Sequence, residues 1–245
     1  MLHDLRTALG VFRSLRIYYG RPARARAMDK LYSQFIVAGD LVFDVGAHVG
    51  DRVAAFRRLG ARVVAVEPQP ALHRTLRLLF SRDSGVALVP SAVGGNSGTA
   101  EMKINLANPT LSTLSRDFIA ASRDAVGWQG ESWPRSLEVP VTTLDALIEA
   151  HGRPTFVKLD IEGFEAEALR GLSEAVAALS FEFTTIQRPV ALACIERCTA
   201  LGYTQFNAAI GETQVLGEWR TAGALADWVV ALPHAANSGD IYVRQ

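Results

Sequence analysis

The sequence predicts an α/β fold: a mostly parallel central sheet with helices on both faces and an antiparallel edge built from the C-terminal part. Three observations lead there. From Leu41 onward, short β-rich apolar runs alternate with helical patterns, as in sheets assembled from crossover units. The run Leu41-Val42-Phe43-Asp44-Val45-Gly46-Ala47-His48-Val49-Gly50 reads as a buried strand, a glycine turn and a helix start. Asp44, Glu67, Ser91 and Asp160 fall at or just past the ends of otherwise apolar strands, where such sheets hold their ligands.

Residues 1–38 read as a helical segment appended to a domain over 39–245. Leu2, Leu5, Leu9, Phe12, Leu15 and Tyr19 recur at three- and four-residue steps, one face of an amphipathic helix that Gly20-Arg21-Pro22 ends. Arg6, Arg13, Arg16, Arg21, Arg24 and Arg26 make the segment basic. The expectation is a helix packed on the domain with its basic face in solvent. A lid over the site, a dimer contact and contact with an anionic membrane surface are the other roles open to it.

Strands are expected at 41–45, 62–67, 86–90, 155–160 and 179–184, and helices at 51–59, 70–80, 144–150, 164–178 and 190–201. Residues 99–143 interrupt this alternation. Strand-like runs at 99–105 and 137–142 flank a polar stretch carrying Trp128, Trp133 and Arg135, which reads as an insertion over the pocket. Runs at 203–207, 214–216 and 240–243 are expected to add the antiparallel edge.

Composition bounds the function. With 245 residues, 49% hydrophobic and 20% charged, the chain can fill one core. Its formal net charge is zero, so no overall field attracts nucleic acid. Cys194 and Cys198, spaced i,i+4 in an apolar helical stretch, read as reduced core residues. No stretch approaches the roughly 20 apolar residues that span a bilayer, and arginines interrupt any signal-like N-terminal run, so a cytoplasmic location is expected. Lysine is scarce beside arginine: only Lys30, Lys103 and Lys158 occur.

Two constellations carry the chemistry. The first is the glycine turn with Glu67-Pro68, where Glu67 lies 23 residues beyond Asp44 at the next strand's tip. Gly46 lets a ligand approach bare backbone, Gly50 lets the following helix pack close, Asp44 orients the loop, and Glu67 can hold two ribose hydroxyls. A dinucleotide fingerprint fails here, because its later glycine positions fall on His48 and Asp51. The second is Phe156-Val157-Lys158-Leu159-Asp160-Ile161-Glu162-Gly163-Phe164-Glu165, an apolar strand that ends in alternating charge. Lys158 and Asp160 share a strand face, and a charged pair in a buried strand is costly unless it is paired or used.

With Ser91-Ala92-Val93-Gly94, Gly98 and Thr142-Thr143-Leu144-Asp145, these runs resemble the FkbM-type methyltransferase family over about residues 40–185. The resemblance implies a class I Rossmann-like methyltransferase fold and S-adenosylmethionine (SAM) as donor. It also implies O-methylation of a sugar or secondary-metabolite hydroxyl. It puts Ser91 and Ala92 near the adenine, and Ser112-Thr113-Leu114 near the pocket. His48 departs from the family, which more often has Asn there. Cofactor contacts are accordingly expected from Asp44, Gly46, Ala47, His48, Gly50, Glu67, Pro68, Gln69, Ser91, Ala92 and Asp160.

Methyl transfer to an alcohol needs alignment and removal of a proton. Asp160 is the first candidate base, with a competing role in holding the cofactor's amino group or stabilising its sulfonium. Glu162 and Glu182 are secondary candidates, and Lys158 can tune Asp160 downward or stabilise an incipient alkoxide. Asp160, Glu162 and Glu182 could gather a divalent ion, but no spacing demands one and no metal is expected. A small-molecule acceptor is the expected partner. A nucleic-acid adenine methyltransferase would need an Asn/Asp-Pro-Pro-aromatic run that is missing, and a non-catalytic SAM-binding or scaffolding subunit is the alternative reading.

Overall fold

The computed structural model describes the backbone of residues 2–245 and the side chains of residues 7–245. In chain order the elements are α1 (Leu2–Tyr19), α2 (Pro22–Tyr32), β1 (Leu41–Val45), α3 (Asp51–Arg58), β2 (Arg62–Val66), α4 (Pro70–Phe80), β3 (Val86–Val89), β4 (Ala92–Val93) and β5 (Gly98–Ile104). There follow α5 (Arg116–Ser122), β6 (Arg135–Thr142), α6 (Leu144–His151), β7 (Phe156–Leu159), α7 (Glu165–Arg170), β8 (Ala178–Thr184), α8 (Arg188–Ala200), β9 (Gln205–Ile210), α9 (Ala222–Ala231) and β10 (Ser238–Arg244).

Seven strands form one sheet in the order β3-β2-β1-β7-β8-β10-β9. All neighbours are parallel except β10, which runs antiparallel to both β8 and β9. This is the mostly parallel sheet with an antiparallel C-terminal edge that the sequence predicts. The strands are apolar on both faces because helices cover both. Phe43, Val45, Val157 and Leu159 pack under α6, α7 and α8, where Cys194 and Cys198 are buried and unpaired. Val42, Val63 and Phe156 pack under α2 and α3 against Tyr32 and Phe56. The strand order reverses between β1 and β7, so the loops leaving these two strands diverge and open a crevice.

The 99–143 stretch joins β4 in a second sheet, β4-β6-β5, in which β5 and β6 pair antiparallel. Between them lie a short helical turn at Pro109–Leu111 and α5, whose N-terminus is capped by Ser115 accepting from Phe118 N at 3.0 Å. Helices α5 and α9 have no counterpart among the expected elements. The start of α9 is signalled by its cap, Thr221, which accepts from Ala224 N.

Three expectations are corrected. Residues 214–216 form no strand: the segment passes once along the sheet edge, with Gly217 N donating to Ala208 O and Phe206 bridging Arg220. The helix expected over 164–178 stops at Arg170. Gly171 abuts the Gly94 carbonyl, where a Cβ would lie 2.5 Å away, and Ser173 N is drawn to the Asp145 carboxylate at 2.9 Å.

The third concerns α1. Part of its predicted apolar face is turned outward: Leu9 is 59% exposed, Phe12 66% and Tyr19 43%, while Leu15 is half-buried. The helix docks instead through Gly10, Ser14 and Tyr18. Small residues win the inner position because the helix runs hard against the Pro109 turn. A Cβ on Gly10 would meet Pro109 Cδ at 3.0 Å. Leu2, Leu5 and Arg6 of that segment lie outside the described side chains.

At the crevice, Gly46 has φ 84°, and a Cβ there would collide with the carbonyl oxygen of Asp160. Its glycine is therefore required by the approach of two backbones, independent of any ligand. Gly50, with φ 81°, similarly admits α4: a Cβ would meet Phe80 Cε2 at 2.5 Å and Leu76 Cδ2 at 2.7 Å. Replacing Gly46 by alanine is expected to lower stability by about 2 kcal/mol or more. A urea unfolding midpoint unchanged from wild type would contradict this.

Candidate functional site

A cavity of about 270 Å³ opens at the carboxyl ends of β1, β2, β7 and β8. Its walls come from five directions. Gly46, His48 and Arg52 stand on the β1 side, and Glu67, Pro68 and Gln69 at the tip of β2. Asp160, Glu162 and Glu182 occupy the β7–β8 side. Ser91, Ala92, Asn108–Ser112 and Trp128 form the roof, and Tyr18 of α1 closes one flank. Of the residues expected at a cofactor, Asp44, Ala47 and Gly50 do not reach the cavity wall. Side chains alternate along β1, so with Val45 facing the cavity Asp44 points beneath it, toward α2 and α3.

Glu67 is 3% exposed and anchors the glycine loop. Its Oε2 accepts from His48 N at 3.0 Å and its Oε1 from Gln69 N at 2.8 Å. Burial pushes its carboxyl up to about 7, against the pull of those two backbone donors. Asp44 is likewise pushed up to about 7 by burial, and neither of its oxygens has a partner. His48 sits at φ 50°, edge-on to Tyr18 at 5.4 Å, with Nε2 buried and unpartnered. Burial lowers its ring to about 4, so it is neutral at physiological pH. Ser91 Oγ is also buried without a partner.

The opposite wall is a charge network. Lys158 is fully buried; its Nζ donates to Asp240 Oδ1 at 2.6 Å and lies 3.3 Å from Asp160 Oδ2. Burial opposes its charge, but Asp160 and Asp240 outweigh that and hold the ammonium protonated. Arg52 Nη2 reaches the same Asp160 oxygen at 3.2 Å. Burial alone would raise Asp160, yet Lys158 and then Arg52 hold it down at about 2. Lys158 thus sits behind the wall and does not line the cavity.

Glu162 is 6% exposed at φ 56°, a left-handed turn fixed from outside. Thr113 Oγ1 donates to its carbonyl at 2.7 Å, and Glu165 accepts from Ile161 N and Gly163 N on either side. Burial, then the charge of Asp160, raises the Glu162 carboxyl well above the ordinary range. Burial, then Glu162 and Asp160, does the same for Glu182. Asp160, Glu162 and Glu182 each bring an oxygen within 4.8 Å of the others, a set that can hold a hard cation.

The sequence reading missed Arg52, Tyr18 and Asp240. Arg52 carried a signal: a cation in the first turn of a helix opposes the helix dipole and calls for a partner. Asp240 breaks an otherwise apolar strand, but its partner is 82 residues away. Tyr18 carried none. Of the insertion's aromatics, Trp128 reaches the cavity, while Trp133 donates to Leu111 O at 2.6 Å and braces the roof from outside.

The methyltransferase FkbM domain model matches residues 44–210, and the chain belongs to that family. The hexuronic acid methyltransferase AglP of Haloferax volcanii is 28% identical over 153 residues, 62% of this chain; the match spans 57% of that relative's length. A TehB-like SAM-dependent methyltransferase from Corynebacterium glutamicum superposes with TM-score 0.49 at 11% identity, covering 96% of this chain and 94% of the other. Aeropyrum pernix fibrillarin with natively bound S-adenosyl-L-methionine superposes with TM-score 0.43 at 9% identity, covering 84% and 67%. Likeness at that level adds nothing to the sheet order already described.

The raised Glu67 carboxyl has a thermodynamic consequence. The folded state keeps a proton that the unfolded chain releases near 4.5, so the contribution of Glu67 to stability falls as pH rises from 4.5 to about 7. Between pH 5 and pH 8 the wild type is expected to lose on the order of 1–3 kcal/mol from this group, a loss absent in Glu67→Gln. Unfolding midpoints of both proteins at the two pH values check it; equal pH slopes would refute it.

Proposed function

Since the chain belongs to the FkbM methyltransferase family, we propose that it transfers a methyl group from SAM to a hydroxyl of a small acceptor, a sugar or a secondary metabolite. The observation that carries this reading is the cavity's charge. Lys158 and Arg52 are committed to Asp240 and Asp160, while Glu162 and Glu182 have no ion pair among the described residues. Buried carboxylates without counter-charge favour a ligand that brings positive charge. SAM carries two such centres, a sulfonium and an ammonium. The unpartnered Ser91 Oγ and His48 Nε2 offer further polar contacts on the opposite wall, and Glu67 stands where ribose hydroxyls are held in such sheets. The residues fit the cofactor.

When bound, SAM supplies an electrophilic methyl on sulfur. The acceptor oxygen forms the new O–C bond as the S–C bond breaks, and the hydroxyl proton must leave. Asp160, kept ionised by Lys158 and Arg52, is matched to a positive centre and is a weak base. Glu162, buried beside Asp160 and without an ion pair among the described residues, can accept the hydroxyl proton once the positive charge of a bound ligand lets its carboxyl ionise. This shifts the base from the first sequence candidate to the second. The name of the hexuronic acid methyltransferase supports a sugar acceptor, and Trp128 beside the cavity supports contact with a ring.

Calorimetric titration with SAM, S-adenosylhomocysteine and NAD tests the cofactor. Both adenosyl-sulfur ligands are expected to bind and NAD is not, with Glu67→Ala weakening them at least about tenfold. Asp160→Asn should weaken SAM more than S-adenosylhomocysteine, which lacks the sulfonium charge. Absence of SAM binding, or indifference to Glu67, would overturn the reading and favour a scaffolding subunit.

A further inference from the structure

Helix α1 is inside out for a helix packed on a water-soluble domain. It turns Gly10, Ser14 and Tyr18 inward and leaves Leu9, Phe12, Ile17 and Tyr19 between 41% and 66% exposed. It packs against α4, which buries Leu72 and Leu76 inward but leaves Leu78 86% and Leu79 48% exposed. Exposed apolar side chains grouped on two adjacent helices mark an interaction surface.

The charge on these helices identifies the occupant. Arg13, Arg16, Arg74 and Arg77 are exposed, as is Arg82 just beyond α4, and none has an ion pair among the described residues. Neither helix contributes an Asp or Glu among its described side chains. Arg58, Arg153 and Arg170 are matched elsewhere, with Asp29, Glu174 and Glu167, while Arg21, Arg26, Arg62, Arg123 and Arg135 are also exposed without an ion pair among the described residues. What sets this face apart is that its arginines flank exposed leucines and meet no acid from either helix among the described side chains.

We propose that the α1–α4 face docks on an anionic lipid bilayer, with Leu9, Phe12 and Leu78 in the interface and the arginines on lipid phosphates. Apolar residues ringed by arginine suit an anionic interface, where hydrophobic burial and electrostatic attraction act together. A two-fold contact between copies of this chain fits the same face worse, because it would bring the arginines onto themselves. Among the described residues no helix is long and apolar enough to cross a membrane, so the helices lie on the surface. Tyr18 of the same helix lines the cavity, and Tyr19 Oη donates to Val49 O at 3.1 Å beside the glycine loop. The docked face and the cavity therefore share one helix, and an acceptor held at the bilayer surface lies next to the site.

Sedimentation of the whole chain with vesicles tests this without reference to methyl transfer. One vesicle set is phosphatidylcholine alone; the other contains about one third phosphatidylglycerol. Binding is expected to the second set only, and to fall with added salt. Leu9→Ser with Phe12→Ser, and separately Arg13→Gln with Arg16→Gln, should each weaken it roughly tenfold or more. These side chains are exposed, so unfolding midpoints should match wild type. No binding to the anionic vesicles, or binding unchanged in both variants, would overturn the proposal. So would a stable dimer in light scattering that Phe12→Ser dissolves while vesicles bind nothing. SAM titration of the same samples separates failure here from failure of the methyltransferase reading.

Discussion

A fully enclosed ammonium has to be kept charged by its surroundings, and the cavity floor is organised around that requirement at Lys158. The residue belongs to β7, its closest partner Asp240 to β10, and its second partner Asp160 to the loop where β7 ends. The antiparallel insertion of β10 beside β8 is what brings Asp240 within reach. With Lys158 and Arg52 drawn onto Asp160, the remaining acids of the wall are left without counter-ions, and the site's character follows from that shortage. A Met at 158 would fill the same space but leave Asp240 without a counter-charge and Asp160 with Arg52 alone, so the pair is far costlier to break than to have replaced as a unit.

The glycine loop obeys a second constraint, which is steric. Gly46 is dictated by the backbone of Asp160 and Gly50 by Phe80 and Leu76. The pattern that marks a nucleoside site in the sequence is therefore, in three dimensions, chiefly the pattern of a tight β–α turn. What distinguishes this turn is Glu67, whose carboxylate takes two loop N–H groups and fixes the register of β1's loop against β2.

The parts legible in the sequence are those decided locally. The strand at 41–45 is a five-residue apolar run before a glycine, and α4 begins on a proline at its first position, so both have the expected bounds. Glu67 and Asp160 are legible because core packing alone rarely puts a carboxylate at the end of an apolar strand. Illegible are the properties that depend on remote contacts. The hydrophobic stripe of α1 says which side is apolar, but the inward side is chosen by how closely the Pro109 turn approaches. The helix after β7 is shorter than its pattern because Asp145, far upstream, captures Ser173 N and ends it. Base and electrostatic partner cannot be told apart from spacing, since Arg52 and Asp240 decide it.

The cavity wall draws on Tyr18 from the first helix and Asn237–Asp240 from the final strand, with the roof supplied by residues around 110. Such a site has no local precursor. The parallel core from β1 to β8 can assemble from neighbouring crossover units, whereas Lys158 gains its nearest counter-charge only when β10 inserts. Contacts between segments so far apart in sequence carry a high loop-closure entropy and form late. Ligand affinity in this protein is thus a measure of complete tertiary closure, and it will disappear in partly folded species that still retain most of their helix and sheet.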